Sequence, residues 1–181
     1  MRILLMLTLT LIFLSGCDSM GLTEHKMYPE QWRGIAGGQD LGFRKLDSLK
    51  DKGVVLADGR EGSIIILPAD VFFSEQVERV VINPNFQTTL NDIVYVLKGY
   101  PKSKLSVIGH SDDIMTRSLQ QRQSQAYAQA IADYLTSAGI SPLRITTVAG
   151  VGSSQPISMG NSYTDHQLNR RVEIISAIPI K

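Results

Sequence analysis

The chain has 181 residues, 18 lysines and arginines against 17 aspartates and glutamates, and 43% hydrophobic residues. A balance this close to neutral gives no electrostatic case for nucleic acid, which needs a basic face to neutralise phosphates. The length suits one domain with a leader and a connecting segment, and a single cysteine excludes a disulfide framework or a cysteine metal site.

Met1-Arg2 is a short positive start, Ile3 to Leu14 is an apolar run broken only by threonines, and Leu14-Ser15-Gly16-Cys17 closes it. The pattern predicts a signal peptide over residues 1–16, too short to cross a bilayer. Its last four residues resemble the lipobox of bacterial lipoproteins, whose cysteine is acylated and becomes the new N-terminus. The alternative is an ordinary secretory signal with a chance cysteine. Cys17 stands at the cut, and in an exported protein a lone thiol cannot staple the fold but can carry lipid. One acyl chain holds a protein weakly; two or more make attachment durable. Removing residues 1–16 also removes Arg2, leaving 17 basic against 17 acidic residues over 165 positions. Asp18 directly after the cysteine resembles the enteric signal for retention in the inner membrane, whereas lipoproteins of this general kind favour the outer membrane facing the periplasm.

Residues 17–61 read as a lipidated tether: Gly37-Gly38, Gly42, Gly53 and Gly59 are scattered among polar residues. A fully flexible segment of about 45 residues has a root-mean-square span of roughly 35 to 40 Å. Trp32 and Phe43 are unusual in a free linker, so they either dock on the domain or anchor a partner protein.

A globular domain is expected over 62–181. Ile64-Ile65-Ile66 form a buried strand. Asn83-Pro84 is a helix start, and Phe86, Leu90, Ile93, Val94 and Leu97 then fall on one face up to Gly99 and Pro101. Leu105, Val107 and Ile108 make a second buried strand. After a polar turn opened by Gly109, Tyr127, Ile131, Tyr134, Leu135 and Ala138 recur at helical spacing until Gly139, Ile140 and Pro142 stop the helix. Arg144 to Ala149 and Arg171 to Ile178 are the third and fourth strands. His110-Ser111-Asp112-Asp113 therefore sits at the carboxyl end of a strand just before a helix, a common place for ligand sites.

Four motifs in this order carry a family resemblance. Gly109-His110-Ser111-Asp112 looks like the G-H-T-D of OmpA-like C-terminal domains, and Asp133-Tyr134-Leu135 with Gly139-Ile140 like their helix end. Gly150-Val151-Gly152-Ser153-Ser154-Gln155-Pro156-Ile157 looks like their glycine loop, and Asn169-Arg170-Arg171-Val172-Glu173-Ile174 like the entry to their last strand. Pro68 to Phe73 resembles the segment leading to their paired large apolar residues. The likeness runs from about Gly62 to the end. It implies an α+β fold, a two-layer β-α-β-α-β-β sandwich with a mixed sheet and both long helices on one face.

The resemblance also implies a ligand, the diaminopimelate of the peptidoglycan stem peptide, in which an aspartate takes the ammonium and an arginine fork takes a carboxylate. Asp112 matches the aspartate. The arginine position, fifteen residues on, holds Tyr127. Gln120 and Gln123 stand where asparagine and leucine are usual, and Met115 replaces a loop glycine. Arg170 matches a retained position and is the candidate for the carboxylate, with Asn169 beside it. The candidate binding set is thus Asp112, Gln120, Tyr127, Asn169 and Arg170, with Cys17 for lipid. Losing the charged half of a desolvated pair costs about 2–5 kcal/mol and a tyrosine hydroxyl restores roughly 1. Arg117 or Arg122 could reach in instead, although Arg122 points about 140° away from Tyr127 around a helix.

Two functions follow. One is a lipid-anchored envelope protein that associates with peptidoglycan as a structural part of an outer-membrane complex. The other keeps the fold as a protein-interaction subunit of a secretion system, since small OmpA-like lipoproteins of this layout occur in the outer-membrane core of type IV Dot/Icm systems. An enzyme is not expected: His110, Ser111 and Asp112 are chain neighbours whose side chains point apart, and a triad needs convergence. His25 and His166 are isolated and Gly150-Val151-Gly152 lacks the rest of a phosphate loop, so no metal or cofactor is expected.

Overall fold

The computed structural model describes residues 54–59, 62–76 and 79–177. The leader, Cys17, Asp18, Trp32 and Phe43 lie outside the described residues, as does Ile178, the expected end of the last strand.

The chain runs β1 (Val55–Gly59), β2 (Gly62–Pro68), a one-turn helix α1 (Ala69–Phe72), a hairpin of β3 (Phe73–Gln76) and β4 (Arg79–Ile82), and α2 (Gln87–Gly99). There follow β5 (Leu105–His110), α3 (Arg117–Ser137), β6 (Ile145–Gly150), α4 (Tyr163–Asn169) and β7 (Arg171–Ser176). Five strands form one mixed sheet in the order β1-β2-β7-β5-β6. Only β5 and β6 are parallel, joined by α3 as a crossover helix; the other pairs are antiparallel.

Side chains alternate across each strand, so one face of the sheet is set by residue parity. Ile65, Leu67, Leu105, Val107, Val172 and Ile174 face the two long helices and join Leu90, Ile93, Leu97, Ile131 and Leu135 in one core. Each is fully or almost fully buried, so truncating one to alanine costs about 2–5 kcal/mol. Ile64 and Ile66, of opposite parity, belong to a smaller cluster with Ala57, which explains why the isoleucine run is buried on both sides.

The helix signals act as their chemistry requires. The Asn83 side chain accepts from the Asn85 amide ahead of Pro84, capping the short 3-10 turn Pro84–Phe86 that leads into α2. At the other end of α3, Gly139 takes φ +96°, its amide bonds Thr136 O, and the Ile140 amide bonds Leu135 O. That is the two-bond glycine stop, and it satisfies carbonyls the helix would otherwise leave open.

The structure departs from the sequence reading, or adds to it, in three places. The sheet starts at Val55, inside the expected tether 17–61, because β1 pairs along its length with β2. Between β2 and α2, where the sequence offers only a family likeness and no element, lie α1 and the β3–β4 hairpin, which packs against the core through Val80 and Ile82. The expected loop before the last strand contains α4, closed by a reciprocal capping box between Ser162 and Asp165. The β-α-β-α-β-β order expected for the long elements holds, with both long helices on one face.

Candidate functional site

The carboxyl ends of β5 and β6 are drawn tightly under the first half of α3. A Cβ added at Gly109 would lie 1.9 Å from Ser124 O, and one at Gly150 would lie 2.2 Å from Gln125 N. Only glycine lets the helix backbone come this close. The polar half of α3 then binds the strand-end loops. Gln121 Nε2 donates to Gly150 O at 2.6 Å, Gly150 N to Gln125 Oε1 at 2.7 Å, and Gly152 N to Ser124 Oγ at 2.9 Å. The two loops also join each other, Ser111 N to Gly152 O at 3.0 Å and Val151 N to Gly109 O at 3.0 Å. A helix whose mean hydropathy is low is held by this glutamine and serine ladder rather than by an apolar stripe alone.

Beside this frame lies a cleft of about 380 Å³ lined by Ala69, Asp70, Phe73, Asp112, Ile114, Met115, Gln123, Tyr127 and Arg170. Its charged part has three members. Arg170 donates from Nε and Nη2 to the two oxygens of Asp70, each at 2.7 Å, and from Nη1 to Asp112 Oδ2. Asp112 is buried, 3% exposed, and its other oxygen accepts the Ile114 amide at 3.3 Å. The hydrogen bonds that Arg170 donates to Asp70, with the one to Asp112, outweigh burial and push the guanidinium above its already high value, so it stays charged. Two carboxylates face one guanidinium, and the trio carries one negative charge.

The apolar part is a wall. Tyr127 is 3% exposed and stacks on Phe73, ring centroids 4.7 Å apart and planes 14° from parallel. On the outer side the exposed Tyr163 ring sits 6.0 Å from the Arg170 guanidinium carbon, within cation–π range.

Of the candidate residues, Asp112, Tyr127 and Arg170 line the cleft. Gln120 and Asn169 do not. Gln120 is buried, donating to Met115 O at 2.5 Å and accepting from Ser153 Oγ at 2.7 Å, so its amide fastens the β5–α3 loop to the glycine loop. Asn169 Oδ1 accepts from the Ile157 and Ser158 amides at 2.9 and 3.0 Å, while Nδ2 donates to Ser158 O at 2.9 Å. Both hold loops in place, and neither offers the cleft a free polar group. Arg117 and Arg122 are exposed and do not line it. Asp70 and Phe73 were not singled out by the sequence, and Pro68-Ala69-Asp70-Val71-Phe72-Phe73 offered only a lead-in.

The His110-Ser111-Asp112 neighbours diverge. Ser111 Oγ donates to Asp112 O at 2.8 Å, and the wholly buried His110 turns to the other face of the sheet, Nε2 3.3 Å from Glu173 Oε1. No nucleophile and base meet there. Among the described residues no group of three or more histidine, cysteine or acidic side chains could hold a metal ion. The cleft thus sets two carboxylates and one guanidinium beside an apolar wall.

Three comparisons bear on this geometry. The chain is 32% identical over 142 residues to the probable lipoprotein YiaD of Escherichia coli K12, covering 78% of this chain and 64% of that one. It is 34% identical over 94 residues to the peptidoglycan-associated lipoprotein of Buchnera aphidicola, covering 52% and 54%. The chain therefore spans less than two thirds of the length of these curated relatives. Among solved structures, the cell wall anchor of the type VI secretion system from Pseudomonas aeruginosa superposes with a TM-score of 0.63 at 28% identity, covering 74% of this chain and 94% of that one. The model of the OmpA family matches residues 73–170, more than half of the chain and a span that holds every lining residue of the cleft except Ala69 and Asp70, and the chain belongs to the OmpA family.

Proposed function

We propose that the protein is a lipid-anchored component of the bacterial envelope whose OmpA-family domain grips peptidoglycan through the cleft at the end of β5. Acylation at Cys17 holds it to the periplasmic face of the outer membrane, the domain reaches the wall, and the stem peptide enters between Asp112, Arg170 and the Phe73–Tyr127 wall. The observation that carries this reading is the convergence of Asp70, Asp112 and Arg170 in one cleft, from three elements far apart in the chain. Asp112 receives the ammonium of the diamino acid, and exchange of its bond to Arg170 for one to the ligand needs no change of fold. The function is binding, in keeping with the divergence of His110 and Ser111. The names of the Buchnera aphidicola relative and the Pseudomonas aeruginosa anchor support a wall-associated role. Incubation of the purified domain with sacculi tests it: wild type is expected in the pellet and Asp112→Ala in the supernatant. Wild type remaining in the supernatant would reject wall binding as the main role.

A second reading is favoured by one observation. Tyr127 stands where the resemblance calls for an arginine, and it is stacked into the wall rather than offered to a ligand. In this reading the domain is a protein-interaction subunit of a secretion complex, of the type IV Dot/Icm kind, with weak wall binding. Cross-linking in intact cells separates the two: enrichment of envelope proteins without muropeptides favours the complex subunit.

A further inference from the structure

We propose that Tyr163 is a peptide-contacting residue of the site: its ring forms the outer wall of the cleft, braces the Arg170 guanidinium and covers the apolar part of a bound wall stem peptide. This rests on the wall-binding reading above and extends the site from the floor of the cleft to its rim.

Arg170 has to keep its place while one of its partners leaves. Its Nε and Nη2 grip both oxygens of Asp70 at 2.7 Å, and Nη1 donates to Asp112. Once a ligand ammonium takes Asp112, Nη1 and the N–H groups that Asp70 does not engage are open to the peptide, its carboxylate included. Asp70 then holds the guanidinium along one edge only, and the plane can tilt about that edge. The Tyr163 ring, centred 6.0 Å from the guanidinium carbon, opposes the tilt from the outer side.

Helix α4 is held without this ring. Ser162 and Asp165 cap its start, and Asn169 ties its end to the Ile157 and Ser158 amides. Gly160 leaves room for the Asp165 carboxylate, which a Cβ there would meet at 2.2 Å. Tyr163 is nonetheless 71% exposed, a large ring left in water on a helix whose position is fixed. The loop after β5 adds Ile114, 67% exposed and part of the cleft lining. His166 Nδ1 lies 3.4 Å from Asp113 Oδ1, so this loop and α4 meet where Asp112 and Tyr163 both reach Arg170. Two exposed apolar side chains at the edge of a charged cleft form a rim that the alkyl stem and backbone of a peptide can cover.

Calorimetric titration of the full-length protein in detergent micelles with a synthetic diaminopimelate stem tetrapeptide decides it. Tyr163→Ala is expected to bind about tenfold more weakly than wild type, the sum of the lost cation–π contact and the lost apolar cover. Tyr163→Phe keeps the ring and is expected to bind within about twofold of wild type, and both variants should keep the wild-type thermal midpoint, as an exposed side chain allows. Wild-type affinity in Tyr163→Ala overturns the inference and leaves wall binding standing. So does an equal loss in Tyr163→Phe, which would assign the effect to the hydroxyl, or a lowered midpoint in Tyr163→Ala that tracks its loss of binding. If wild type itself neither binds the tetrapeptide nor pellets with sacculi, the wall-binding reading falls and the inference with it.

Discussion

Arg170 and Arg171 are chain neighbours with opposite lives. Arg170 shares the parity of Val172 and Ile174 and emerges on the helix side of the sheet, at the cleft, between Asp70 and Asp112. Arg171 shares the parity of Glu173 and is sealed on the other side, 2% exposed. It donates to Glu173 Oε1 from Nε at 2.8 Å, and to the carbonyls of Asn169 and Gln155 at 3.3 and 3.1 Å. His110 closes this second cluster from the adjacent strand. The sealed cluster fixes how the glycine loop and β7 meet the sheet; the open one has a charge left over and a space in front of it. Chemistry of the same kind becomes structure or function according to which face of a strand it occupies.

Removing one member of each cluster should separate those roles. Glu173→Ala leaves Arg171 charged and buried, and is expected to lower stability by about 3–5 kcal/mol in denaturant unfolding. Asp112→Ala is expected to act mainly on the ligand, lowering affinity for sacculi by about 2–5 kcal/mol, roughly thirtyfold or more. If Glu173→Ala proved neutral for stability while Asp112→Ala unfolded the domain, the assignment of the two clusters would be reversed.

Acid sharpens the contrast. Burial holds the His110 imidazole below its ordinary 6.5, reinforced by the Arg171 charge and opposed by Glu173. The unfolded chain therefore takes up the proton first, so this contribution to stability is full above about pH 6.5 and is lost as the pH falls. Burial alone would raise Glu173, but His110 and Arg171 overcome it and lower it from 4.5, adding loss in the same direction further into acid. Unfolding midpoints are expected to drop between pH 7 and 5, and His110→Gln should flatten that slope. A slope unchanged in the variant would assign the acid sensitivity to other groups.

The smallest effect is expected at α4, whose Ser162–Asp165 capping box holds the loop before β7. Bonds from the Ser158 and Ser162 hydroxyls and the Ser162 amide lower Asp165 to about 2. Ser162→Ala should cost about 1 kcal/mol, read from the thermal midpoint, with little effect on binding.

The same contrast explains what was legible in the sequence. Strand β5, the polar turn and α3 could be read because local signals agree: an apolar run, helical spacing from Tyr127 to Ala138, and Gly139 with Pro142 to end it. The β3–β4 hairpin could not, since Ser74, Glu75 and Gln76 give a four-residue strand no apolar alternation. Strand β1 was hidden in the same way by its shortness, and α4 was marked only by the Ser162-x-x-Asp165 spacing. Within the site, Asp112 and Arg170 were visible through motifs. Asp70 was not, because its partner lies 100 positions away and one aspartate after a proline says nothing about that distance. Gln120 and Asn169 illustrate the reverse error: a motif marks a position, while the hydrogen bonds decide whether its amide faces a ligand or a loop.

Chemical-shift mapping of the folded domain during titration with a wall stem peptide tests the central claim most directly. The account expects the amides of Asp70, Phe73, Asp112, Ile114 and Arg170 to move together and saturate, while those of β1 and the buried Arg171–Glu173 segment stay still. Shifts that cluster away from the cleft, or none at saturating peptide, would contradict it.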